Sequence, residues 1–164
     1  MALRIDTDIK DLINRDGTIK LLSTLDEDGN IRTVANQHIR ILDSGAIEYL
    51  EFLETSITYR NFTRSLWFEN LVTISTAGEN GENYIIRAKP VKIIICGPLF
   101  EERYKSVTAN GASAGLVAVC VMEPVELIDE TFSHRAQHEK RHKPIYTHLD
   151  RLAAETVTAS IQQH

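Results

Sequence analysis

Two short stretches carry residue types that could do chemistry. The first is Thr58-Tyr59-Arg60-Asn61, which follows an apolar, strand-like run. A helix should begin there. A helix start has backbone N–H groups without intrahelical partners and the positive end of the helix dipole. Thr58 is placed to cap the helix, Asn61 reaches the same space from the first turn, and Arg60 adds a positive charge. That set suits a phosphate group. It also fits an ordinary capped helix linking two strands.

The second stretch is His138-Glu139-Lys140-Arg141-His142, an HExxH pattern. On a helix its histidines share one face, and the glutamate could act as general base beside a zinc ion. His148 falls where the extended pattern HExxHxxGxxH has a third ligand. Against this zinc-dependent peptidase reading, Ile145 replaces the turn glycine and no methionine follows His148. The charges of Arg135, Glu139, Lys140, Arg141 and Lys143 read as a solvated helix face. His134 extends the row by one turn, which suits incidental metal binding. The peptidase is the remote reading, and no metal ligand is assigned. No Ser/His/Asp or Cys/His set stands out. Glu101 and Glu102 read as helix surface, and Glu48, Glu51 and Glu54 as an exposed strand edge. None is a good acid–base candidate.

The positioning elements follow from periodicity. A short amphipathic helix over 6–14 turns Ile9, Leu12 and Ile13 inward, with Asp6 or Thr7 as its cap. Strands are predicted at 18–25, 31–42 and 46–53, joined by the turns Asp26–Asn30 and Asp43–Gly45, as an antiparallel meander. The helix from Thr58 runs to about Trp67, with Phe62, Leu66 and Trp67 facing the core. Strands at 71–76 and 84–96 follow, the second with a bulge or an edge position at Pro90. A helix opens at Gly97-Pro98 and reaches about Ala109. The last strand covers 115–127, bent near Pro124, and the pattern from Asp129 onward is helical. Six strands at hairpin spacing favour a mostly β chain, a small antiparallel barrel with an inserted helix and C-terminal helices. No GxGxxG or GxxxxGK[ST] pattern occurs, so a Rossmann or P-loop phosphate site is unsupported.

Composition narrows the class. With 164 residues the chain is long enough for one domain with a real core. A net charge of −5 argues against a nucleic-acid surface. No apolar run reaches the ~20 residues of a membrane span, and the charged start is unlike a secretory signal. Cys96 and Cys120 lie in apolar runs and read as buried, reduced thiols of a cytoplasmic protein.

The order of these pieces resembles the FMN-binding split β-barrel family, which includes pyridoxamine 5′-phosphate oxidases and small bacterial FMN-binding proteins. The resemblance covers about residues 8–129. It rests on Leu22-Ser23-Thr24-Leu25-Asp26 before the Asp28-Gly29-Asn30 turn, Thr33-Val34-Ala35-Asn36, and Ile41-Leu42-Asp43-Ser44-Gly45. Further along it rests on Thr58-Tyr59-Arg60-Asn61, Val72-Thr73-Ile74-Ser75, Tyr84-Ile85-Ile86-Arg87-Ala88 and Gly115-Leu116-Val117-Ala118-Val119.

The resemblance implies an FMN-binding domain over 1–130 and a helical extension over 131–164 that packs on the barrel or a dimer interface. It implies that Thr33, Val34, Ala35 and Asn36 line the flavin ring, and that Thr58, Tyr59, Arg60 and Asn61 hold the phosphate and ribityl chain. The family's basic residue before the threonine is Ile57 here. Arg60 or Arg87 would have to take its place, because a phosphate gains most from charged donors. The resemblance further implies a homodimer acting as an oxidoreductase on an unknown small molecule, or as an electron carrier with a redox partner. A barrel that has lost flavin and serves as a binding or regulatory module is the alternative. Residues 109–115 lack the aromatic cover that some members have, and the C-terminal signature of true pyridoxamine-phosphate oxidases is missing, so vitamin B6 chemistry is not assigned.

Overall fold

Burial alternates along the strands, so the sheet has one core face, and it curls around what that face buries. A computed structural model describes residues 3–111 and 115–142. The elements are α1 (Thr7–Asn14), β1 (Ile19–Leu25), β2 (Ile31–Ala35), β3 (Ile39–Ile41), β4 (Ile47–Glu51), α2 (Ile57–Trp67), β5 (Val72–Ala77), β6 (Asn83–Ile94), α3 (Pro98–Ala109), β7 (Ala118–Asp129) and α4 (Phe132–His142). The described strands form one sheet in the order β2-β1-β5-β6-β7-β4-β3, with every neighbouring pair antiparallel. It is a curled half-barrel, as the split-barrel expectation requires.

Leu22, Ile74, Ile86 and Met122 project from four strands into the core and meet Tyr49 and Phe62, all of them buried. In β1 the buried positions alternate strictly with partly exposed ones, the pattern of a strand with one face in the core.

Seven strands stand where six were expected, because the run over 31–42 is broken. The Asn36 side-chain oxygen accepts from the His38 backbone N–H at 2.7 Å, a local turn that competes with the ladder. Asn36 N–H still donates to Lys20 on the β1 side, at 2.9 Å, while the His38 carbonyl accepts from Leu50 N–H on the β4 side, at 3.1 Å. The chain thus leaves one sheet edge as β2 and joins the other as β3. The expected three-strand meander becomes two separate hairpins, β1–β2 and β3–β4.

The bulges fall where the prolines predict. The β6–β7 register shifts between Pro90 and Lys92 and between Arg87 and Ala88, the latter opposite Pro124. A positive φ of +80° at Gly29 closes the β1–β2 turn, and one of +92° at Gly97 starts α3, a region glycine enters without Cβ strain.

Three further expectations are overturned. Trp67 is 78% exposed instead of inward. The buried face of α2 is Thr58, Asn61, Phe62 and Ser65, and two residues past Ser65 a helix has turned to its opposite side. Cys96 is exposed, because it lies beyond the end of β6; Cys120 is buried. Glu48 and Glu51 do not lie on an exposed edge: β4 sits between β3 and β7, and all five of its residues are buried. Glu48 is covered by Arg40, its register partner on β3, and by Arg103 from α3.

Candidate functional site

The site residues gather where α2 begins, beside the β1–β2 turn. Ser56, not Thr58, caps α2: its hydroxyl accepts from Tyr59 N–H at 3.2 Å. The helix therefore starts at Ile57, and Thr58 sits inside its first turn, 4% exposed. The sequence expectation placed the cap two residues late.

Asn61 is equally buried. Its side-chain amide donates to Thr24 Oγ1 on β1 at 3.2 Å, which fixes the helix start against the barrel. Tyr59 packs on the core cluster and lines a neighbouring cleft with Trp67 and Phe68.

A cleft of about 650 Å³ lies between the turn and the helix. Thr33, Ile57, Arg60 and Asn61 line it, together with Arg32 and Arg64. Asp26, Glu27 and Asp28 form the opposite lip. The Asp26 carboxylate is committed to its own turn. Oδ1 accepts from Asn30 N–H at 2.8 Å and from Asp28 N–H at 3.0 Å, and these bonds, Asn30's first, hold its pKa below the usual value.

None of Arg32, Arg60 and Arg64 forms an ion pair with a carboxylate among the described residues. Arg64 rests its guanidinium 4.8 Å above the Phe68 ring. The cleft thus offers three cations without a carboxylate partner among the described residues, beside the N-terminus of an 11-residue helix, a donor set for a phosphate-sized anion.

Arg32 and Arg64 were not singled out in the sequence. Arg64 was within reach of it, standing four residues after Arg60 on the same helix face. Arg32 becomes visible only once the register pairs it with Thr24.

The residues expected along a flavin ring occupy β2 and its end. Thr33 bonds its hydroxyl to Ser23 Oγ at 2.8 Å on the outer face. Val34 turns inward against the core. Ala35 is exposed, and Asn36 forms the strand break. Because β2 is a sheet edge, one side of its backbone is unpaired by the sheet. Arg87 is not brought to this cleft. It is exposed between the buried Ile86 and Ala88, and it pairs with Glu126 at 2.8 Å on the outer face.

On α4, His138 and His142 do share a face, their rings stacked with centroids 4.1 Å apart. Among the described residues no group of three His, Cys, Asp or Glu side chains is placed to hold a metal. His148, the third element of that motif, lies outside the described residues, as do residues 112–114 of the 109–115 stretch.

No family model matches the chain, and no curated protein matches it in sequence. Solved structures do. HupZ of Group A Streptococcus superposes with a TM-score of 0.64 at 18% identity, over 78% of this chain and 95% of that one. An FMN-binding protein of Syntrophomonas wolfei gives 0.61 at 14% identity, over 75% and 84%. An F420 reductase gives 0.58 at 14% identity, over 76% and 98%. This chain has the split-barrel fold. At such identities the likeness is one of fold, and it agrees with the family resemblance read from the sequence. No described helix is long and apolar enough to cross a membrane.

Proposed function

We propose that this protein binds FMN noncovalently and works as a cytoplasmic oxidoreductase or electron carrier. The observation that carries the reading is the convergence of Arg32, Arg60 and Arg64 on one cleft at the start of α2, with no carboxylate paired to them among the described residues. These residues fit a phosphate. Arg60 and the free N–H groups of the first helical turn would hold it, with Arg32 and Arg64 adding charge from the walls. The unpaired backbone edge of β2, over Thr33–Asn36, would face the polar rim of the ring. The bound flavin would supply the redox chemistry, and the protein would orient it and limit its contact with water. The FMN-binding and F420-reductase neighbours favour a flavin-type ligand on this fold.

The reading includes a homodimer. Leu21, Ser75, Ile85 and Ile128 form one register row on the sheet face away from the core, apolar but for Ser75, with Ile19 and Ile31 on the same face 52% and 75% exposed. An apolar stripe of this kind suits a self-complementary contact. The expected helical extension over 131–164 is described only as far as His142, and α4 buries none of its own residues.

The test is the visible absorption spectrum of the purified chain after addition of FMN and desalting. A retained flavin band at about one per chain is expected. A folded protein that retains none would overturn the reading in favour of a barrel without flavin, for which Ile57, 43% exposed at the mouth of the cleft, is the supporting feature.

A further inference from the structure

The other end of the broken strand holds a second group of cations. Lys20, on β1, is 5% exposed. Its ammonium donates to the Ile39 carbonyl at 3.0 Å. An ammonium has three donors, and no carboxylate stands within 4.0 Å of this one among the described residues. A buried, unpaired ammonium is costly, by several kcal/mol before compensation. Tying down one carbonyl does not require it, since a neutral donor would do that at less cost.

Lys20 lines a cleft of about 490 Å³ walled by β3 and α3. Arg40 and Arg103 form part of the same wall. Both lean on Glu48, Arg40 Nε at 2.7 Å and Arg103 Nε at 3.0 Å from each oxygen, and Arg103 also pairs with the exposed carboxylate of Glu102. One buried negative charge is thus shared between two guanidiniums. Asp16 is the one acidic residue in the lining. The Gln37 and Ser106 side chains add neutral donors. This cleft shares no lining residue with the arginine cleft at α2.

We propose that the Lys20 cleft is a separate anion site, which takes a small molecule bearing a carboxylate or a phosphate, with the Lys20 ammonium as its central donor. The anion supplies the partner that the fold does not, and Gln37 and Ser106 select its orientation from the rim. Burial already pulls the Lys20 pKa below its ordinary value, with Asp16 opposing more weakly; an anion would raise it again. The site stands independently of flavin binding.

The test uses the full ¹⁵N-labelled chain without FMN, titrated with inorganic phosphate and, separately, with acetate at constant ionic strength. Saturable shifts of the Gln37 and His38 amides are expected with at least one of the two. Saturation by phosphate alone assigns a phosphate-bearing ligand; saturation by acetate also assigns carboxylates. In Lys20→Met the affinity at these amides should fall by about tenfold or more, as for loss of a charge-assisted bond, while Arg60→Gln should leave it unchanged. The Lys20 ammonium signal of the wild-type chain gives the same reading without a variant, since it should shift with the same midpoint. Shifts confined to Arg60 and Asn61, a non-saturating response at Gln37, or an unmoved Lys20 signal would each overturn the proposal.

Discussion

Asn61 on α2 reaches across to Thr24 on β1, its amide nitrogen 3.2 Å from the hydroxyl, and each is only 2% exposed. The pair joins the helix start to the barrel out of reach of water. Replacing Asn61 by alanine leaves the Thr24 hydroxyl without that partner in a buried place, which costs about 1–3 kcal/mol. Urea unfolding of Asn61→Ala should show a midpoint lowered accordingly with an unchanged slope. A variant as stable as the wild type would mean that the pair does not hold the helix. Asn61 is therefore a poor probe of ligand binding by itself, since its loss loosens the element that carries Arg60.

Glu48 is the second buried junction. It is fully enclosed, and its Arg103 partner has a side chain only 14% exposed. Glu48→Gln keeps the volume but leaves two guanidiniums without their shared buried charge, and Arg103 keeps only its pair with the exposed Glu102. Breaking a buried pair costs about 3–5 kcal/mol; the lower end is expected here, because Arg40 is 43% exposed and can turn to solvent. The double variant Glu48→Leu/Arg103→Met should be more stable than Glu48→Gln alone. The same order of denaturation midpoints would not arise if Glu48 were simply a polar filler.

These two junctions also show what the sequence could and could not disclose. The short strand-like runs at 18–25 and 71–76, the Asp28-Gly29-Asn30 turn and the Gly97-Pro98 helix start are local signals, and they locate β1, β5, the hairpin and α3 to within a residue or two. The exchange of strand edges at Asn36 is not local. It depends on which strands Lys20 and Leu50 offer to the backbone on either side. Glu48 looked exposed because its cover comes from Arg40 and from Arg103, 55 residues away. Trp67 looked like core because an aromatic at the end of a helix next to apolar residues reads that way; the phase set by Thr58, Asn61 and Ser65 puts it outside. The candidate site was half legible. Arg60 could be read from its place at a helix start, whereas Arg32 joins it only through strand register.

Trp67 gives a direct check on that phase. With 78% of its surface exposed, Trp67→Ser should change stability by less than about 0.5 kcal/mol, as surface substitutions usually do. The fluorescence of this single tryptophan should peak near the value for a solvated indole. A blue-shifted emission from the monomeric chain, or a loss of several kcal/mol, would place it in the core after all.

His38 sets an acid limit. Burial first, and the nearby Lys20 charge second, hold its pKa below the ordinary 6.5. The unfolded chain therefore takes up this proton first as pH falls. Stability should be constant above about pH 7 with respect to this group, decline as pH drops through 6.5, and level off below the lowered folded value. His38→Gln should flatten that part of the profile. An unchanged slope in the variant would assign the loss in this window to groups other than His38; Asp43, whose pKa is lowered by its bond to Lys10, acts only at more acid pH, below its ordinary 3.8.

The arginines separate the two positions offered for the ligand phosphate. Arg60 lines the cleft at α2, whereas Arg87 lies on the outer sheet face in a pair with Glu126. A charge-assisted hydrogen bond contributes about 1.5–3 kcal/mol, so Arg60→Gln should weaken FMN binding by roughly tenfold to a hundredfold. Arg87→Gln should leave the affinity unchanged and cost at most about 1 kcal/mol of stability, as an exposed ion pair does. Ile57→Lys adds a fourth cation beside three that have no carboxylate partner among the described residues, so its gain should stay below about tenfold and shrink as salt rises. Quenching of FMN fluorescence on titration with each variant reads all three. If Arg87→Gln weakened binding as much as Arg60→Gln, the phosphate would have to sit against the outer face of the sheet, and the cleft at α2 would need another occupant.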